Sequence, residues 1–205
     1  EEGVALNNMA ALYRSHFHAL ELQLELTRRN IPFSITSGIR FFEQAHLKDV
    51  TAYLKLVLNP RDELSFKRLV QLLPGVGGKG ADKLWKVFNL ELGTRSPEPT
   101  ATVPLAAALQ SCAKSAPKKA ALAWAQFATT ISQLEAPDVR QSAAKMIPIV
   151  IEAGYDDYLK ANFANYRSRL DDLKQLAIFA QQFATVDEFL TQMALLTNVE
   201  AEAEQ

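Results

Sequence analysis

From Ala45 onward the apolar residues recur every three to four positions, the spacing of a helical face. Leu47, Val50, Leu54 and Val57 set that spacing over residues 45–58, and Asn59–Pro60 ends it. Asp62 is placed to cap a helix over 63–72, and another is expected over 81–90. The pattern then predicts helices near 105–114, 117–134, 139–152, 158–183 with a break, and 186–196. Pro117 suits a first helical turn, whereas Pro148 is expected to kink or split its helix. Residues 198–205 are acidic and expected to fray. Only two short runs read otherwise, and both precede residue 37. Residues 9–13 (MAALY) fit a buried strand and residues 33–36 a second, with a helix over 17–29 between them, stopped by Asn30, Ile31 and Pro32. Strand, helix, strand is a βαβ unit, which normally belongs to a parallel sheet, and two strands make no stable sheet alone. The expected fold class is therefore mainly α: a partial βαβ unit followed by helices. Residues 93–102 (GTRSPEPTAT) are the best linker candidate.

A chain of 205 residues can hold one or two domains with a real core. Its formal net charge of −1 creates no global field for nucleic acid, so any such contact must come from local patches. Charge is uneven: residues 37–95 carry ten Lys/Arg against six Asp/Glu, whereas residues 181–205 carry five Asp/Glu and no Lys/Arg. The single cysteine, Cys112, excludes a disulfide within the chain and suits a reducing cytoplasm as a buried thiol. His16, His18 and His46 lack Cys partners and ligand spacing, so no metal site is expected. No apolar run reaches the roughly 18 residues of a membrane span, and residues 1–8 carry no signal-peptide pattern. A cytoplasmic protein without a membrane partner is expected. The start without Met, with a strand-like run already under way, reads as a segment of a longer polypeptide.

Three motifs could carry chemistry. Residues 72–81 (LLPGVGGKGA) join two predicted helices in the pattern of a helix–hairpin–helix turn. Gly75 and Gly77 allow positive φ and close approach, amides opening the next helix can face a phosphate, and Lys79 and Lys83 add charge without reading bases. That combination predicts salt-sensitive, sequence-independent contact with a nucleic-acid backbone. It is not a P-loop, because GVGGKGAD departs from G-x-x-x-x-G-K-[ST] and follows a helix. Tyr13 and Arg14 end the first strand-like run, where an aromatic ring can stack and an Arg fork can grip phosphate; a surface arginine beside a strand-end ring is the plainer reading. Arg40, Phe41 and Phe42 could form a stacking element for single strands, although core packing of one or both rings is simpler. Trp85 and Trp124 lie in helical apolar patterns and read as core anchors.

Taken in order, these segments resemble superfamily 1 DNA helicases of the UvrD/PcrA/Rep type. Residues 10–80 are similar to the second RecA-like motor domain of that family. Residues 95–196 resemble its inserted helical accessory domain more loosely, through Gly154–Tyr155, Tyr158–Leu159, RSRLDDLKQL over 167–176 and VDEFLTQMALL over 186–196. The resemblance implies residues 1–94 as a partial second motor domain and residues 95–205 as the accessory domain with the start of the return to the motor. It implies a parent that couples ATP hydrolysis, with Mg2+, to 3′-to-5′ translocation on single-stranded DNA and unwinding of duplex, in repair or replication. Tyr13 would flank the adenine of ATP and Arg14 would contact its γ-phosphate. Residues 38–43, including Arg40 and Phe41, and Lys48 would lie near the DNA path. The turn carrying Gly75, Gly77 and Lys79 would touch backbone or support the hinge, and the segment around Gly154 would approach duplex.

The chain departs from the family at His16, Phe17 and His18, where Asn-Ala-Gln is usual, and at Asp172, where Asn is preferred. It also departs at Pro74–Gly75–Val76–Gly77, where the family has Arg-Gly-Ile-Gly. No Walker A lysine, Asp-Glu magnesium motif or later γ-phosphate arginine occurs. With the first RecA-like domain of the same polypeptide missing, the chain alone is expected to hold no nucleotide and to neither hydrolyse ATP nor unwind DNA. Other readings are a stand-alone helix–hairpin–helix DNA-binding module and a helical protein-interaction domain.

Overall fold

The computed structural model describes residues 3–13, 19–34, 41–95 and 104–202. At their centre lies α2 (Ala45–Leu58), which packs against α3 (Glu63–Val70), α6 (Ala121–Leu134), α7 (Ala143–Val150), α9 (Tyr166–Ala180) and α10 (Val186–Glu202). A helix enclosed on that many sides must be apolar nearly all round, and Leu47, Val50, Leu54, Leu56 and Val57 are all buried. α4 (Gly78–Arg95) packs on α3 and on α5 (Leu105–Cys112), which packs in turn on α6. α8 (Asp156–Asn162) lies on α9, and α1 (Leu20–Arg28) contacts α10.

Helix ends follow local chemistry. The Asp62 carboxylate accepts from the Ser65 amide at 3.0 Å and from its hydroxyl at 2.7 Å, capping α3. Glu135 does the same for α5 from a distance in sequence, accepting from the amides of Leu105 at 2.7 Å and Ala106 at 3.1 Å. α1 ends at Asn30, whose φ of +53° lets the Ile31 amide reach back to the Leu26 carbonyl at 2.9 Å. Trp124 is fully buried and donates its indole N–H to the Leu109 carbonyl at 2.8 Å. Trp85 packs on Phe66 and Phe88, and Cys112 is buried. One hydrophobic core runs from Phe41 to Leu196 across residue 94.

The mainly helical class holds, but no strand forms among the described residues. Residues 9–13, expected as a buried strand, are irregular, with Leu12 97% exposed. An extended segment needs an edge to pair with, and no described neighbour is extended. Residues 33–34 are likewise irregular, and 35–36 lie outside the described residues. Other boundaries moved as well. α4 starts at Gly78 and reaches Arg95, so the expected linker overlaps its end and otherwise falls on residues outside the described set. α10 continues to Glu202 through the stretch expected to fray, favoured by its Ala and Glu content. Pro148 lies inside α7, but the sharp break falls at Gly154, where φ is +118° between α7 and α8.

Candidate nucleic-acid interface

The turn between α3 and α4 is built by its sequence residue by residue. The Leu72 and Leu73 amides still bond backwards to Leu69 and Val70, each at 3.1 Å. Pro74 has no N–H with which to continue. Gly75 takes φ +77°, a conformation costly for residues with a Cβ, and reverses the chain. Val76 then drops into the core, its amide reaching Leu73 at 3.2 Å. The Gly77 carbonyl accepts from Ala81 at 2.9 Å and opens α4. The amides of Gly78, Lys79 and Gly80 therefore sit in the first turn, where no intrahelical acceptor exists. This face is open: a Cβ placed on Gly77 or Gly78 would meet nothing within 4 Å.

Lys79 and Lys83 are exposed on the first turns of α4. Asp82 stands between them, but Lys67 holds it at 2.5 Å while also reaching Glu63 at 2.5 Å. The hydrogen bond from Lys67 keeps the Asp82 carboxyl below the usual carboxylate range, and the same contact raises the Lys67 ammonium. Lys67 thus occupies the one nearby acid on α4 and leaves the two outer lysines to dominate the local field.

A second polar group, anchored on α2 and α3, was not legible as a site. The buried Asp49 carboxylate on α2 accepts from Arg68 of α3 at 2.6 Å and from the Tyr155 hydroxyl at 2.6 Å. Arg68 also reaches the Ala45 carbonyl at 3.2 Å, and Tyr155 stacks on Tyr158. Alongside, Arg169 donates to His46 Nδ1 at 3.1 Å. Arginine only donates, so the remaining imidazole proton sits on Nε2, 3.2 Å from Asp172. The departure at Asp172 thus gains a partner in His46, which is buried among these groups. The network joins α2 and α3 to the Gly154 break. There the Gln126 amide bonds the Ala153 carbonyl and lies where a Gly154 side chain would go, 2.5 Å from its ideal Cβ.

Burial raises the Tyr155 hydroxyl well above the ordinary tyrosine range, and the adjacent Asp49 charge adds to it; Tyr53 is raised by the same two causes in the same order. A tyrosine held neutral in the fold stabilises it fully at lower pH, and that stability declines once the unfolded chain begins to ionise. Stability should therefore fall above about pH 10, by up to ~1.4 kcal/mol per pH unit for each of the two tyrosines. Urea midpoints across that range check this. Tyr155→Phe should flatten the decline, and an unchanged slope in that variant would remove Tyr155 as its cause.

Of the residues singled out in the sequence, Gly75, Gly77, Lys79 and Lys83 come together on the turn. Gly154 sits elsewhere, on the α7–α8 break. Lys48 is exposed on α2. Phe41 is 1% exposed and packs edge-on to Phe42, so its ring is core and offers no face to a base. Tyr13 is partly exposed, while Arg14 and Arg40 lie outside the described residues. Among the described residues no three His, Cys, Asp or Glu side chains converge as metal ligands.

The described residues form a helical unit centred on one enclosed helix, with a helix–hairpin–helix type turn on its surface. Residues 1–94 match the UvrD-like helicase C-terminal domain family. DNA helicase II of Haemophilus influenzae is 29% identical over 99% of this chain and 28% of its own length. ATP-dependent DNA helicase PcrA of Leuconostoc citreum is 24% identical over 88% of the chain, and ATP-dependent DNA helicase UvrD1 of Mycobacterium tuberculosis 27% over 89%, each alignment spanning 23% of the relative. The chain is thus similar to UvrD/PcrA-type superfamily 1 helicases, through that family over residues 1–94 and through these relatives over most of its length, and it spans about a quarter of the length of these curated relatives.

Proposed function

We propose that this chain contributes part of the second motor domain and the accessory domain to an ATP-dependent DNA helicase that translocates on single-stranded DNA and unwinds duplex. Within it, the chain holds the DNA backbone at the turn carrying Gly75, Gly77, Lys79 and Lys83. Arg14 and Tyr13 serve the nucleotide that the complete enzyme binds, with Mg2+, against the first motor domain. The runs 9–13 and 33–36 pair as strands only within the complete RecA-like sheet. One core shared across residue 94 supports close packing of residues 41–94 against the accessory domain. By itself the chain performs no hydrolysis.

The observation that carries the DNA reading is the open first turn of α4, with its unbonded amides flanked by Lys79 and Lys83 and its acid occupied by Lys67. The chain should bind short labelled duplexes of unrelated sequence with equal affinity and a steep salt dependence. The double variant Lys79→Ala/Lys83→Ala should lower the slope of log K against log salt by about 1.8, at ~0.9 per lost phosphate contact. Fluorescence anisotropy between about 50 and 200 mM salt measures it. A slope unaffected by the double variant would overturn the assignment.

A further inference from the structure

Gly75 has a neighbour that its place in the chain does not suggest. A Cβ built on Gly75 would overlap Cε of Lys119 and lie 2.6 Å from its Nζ. The space a side chain would occupy at the turn is filled by a lysine from the connection between α5 and α6. That position is held from below. The chain turns over Lys118–Ala120, with the Ala120 amide bonded to the Pro117 carbonyl at 2.8 Å and Ala120 fully buried at the head of α6. With Ala120 anchored, Lys119 projects outward and its stem lies across Gly75. Its side chain is exposed, and no ion pair or hydrogen bond engages it among the described residues.

We infer that Lys119 is a third cation of the same DNA-binding surface, contacting the phosphate backbone of duplex DNA beside Lys79 and Lys83. Two segments about forty residues apart place ammonium groups on one glycine turn. The turn is narrow enough to admit Lys119 only because residue 75 has no side chain. Among the described residues no aromatic platform opens beside these cations: Phe66 and Phe88 are buried, and Trp85 packs against both. Unstacked bases need such a platform, whereas the backbone of a stacked duplex needs only charge and donors. Lys119 also returns to the turn a positive charge that Pro74–Gly75–Val76–Gly77 does not itself carry.

The inference rests on the turn being a DNA contact, and the test separates the two. Lys119→Ala in the chain should lower the salt slope for duplex by about 0.9 and weaken binding several-fold at low salt, while Lys119→Arg keeps both. Lys174→Ala, whose lysine pairs with Asp171 on α9, is the control expected to change neither. Duplex should also shield Lys119 from acetylation together with Lys79 and Lys83, more strongly than a single strand of the same length does. Unfolding midpoints confirm that each variant is folded. If Lys119→Ala binds like the unaltered chain while the Lys79/Lys83 variant loses affinity, Lys119 is no part of the surface and the turn assignment stands. If the Lys79/Lys83 variant is also unchanged, both fall together. Equal shielding by single strands overturns the choice of duplex.

Discussion

Asp49→Ala is expected to destabilise the fold by about 2–3 kcal/mol, lowering the melting temperature by roughly 5–10 °C for a domain of this size. The Asp49 side chain is 8% exposed and serves two donors on different elements, Arg68 and Tyr155. Its removal leaves the buried Tyr155 hydroxyl without this acceptor and the Arg68 guanidinium with only the Ala45 carbonyl. Breaking a fully buried pair costs about 3–5 kcal/mol, but the Arg68 side chain is 37% exposed and water can solvate part of it, which sets the lower figure. Asp49→Asn retains an acceptor for one donor and should cost about half as much. Urea unfolding of both variants checks the order. Equal midpoints for Asp49→Ala and the unaltered chain would show that the contact contributes nothing net.

Arg14→Ala, placed in the complete polypeptide, is expected to reduce DNA-stimulated ATP hydrolysis about a thousandfold or more while leaving DNA affinity within a factor of two. An arginine that meets the γ-phosphate from across a domain interface stabilises charge that develops only in the transition state, and such groups contribute about 10³–10⁵ in turnover. Arg14→Lys should rescue little, because a single ammonium cannot reproduce the bidentate fork. Steady-state hydrolysis alongside anisotropy separates the two readouts. Intact hydrolysis would remove Arg14 from the nucleotide site, and a parallel loss of DNA binding would assign it to folding or DNA contact instead.

How much of this was legible depends on whether the signal is local. α2 was readable to the residue, because its periodicity is strong and Asn59–Pro60 closes it. The glycine turn was readable because Pro74 and Gly75 carry their conformational consequence with them. The runs at 9–13 and 33–34 form no strand here, because apolar content marks burial in a sheet only when the sheet's other strands are at hand. Phe41 and Phe42 show the same ambiguity resolved toward the core. The Asp49–Arg68–Tyr155 and His46–Asp172 contacts left no trace in spacing, since their members lie as many as 126 residues apart. The nearest signal was an acid within the apolar stretch of α2, too common on helices to single out. Lys119 at Gly75 was invisible for the same reason.

The central place of α2 also bears on synthesis. It is synthesised before several of the helices that cover it, α7, α9 and α10. A nascent chain that has reached only α6 carries Leu47, Val50 and Leu54 without their full cover, and contacts of such long sequence separation close slowly. Folding of this unit is therefore tied to release of its C-terminal helices from the ribosome. A premature stop before α9 should yield an aggregating, chaperone-bound product and not a shorter folded domain.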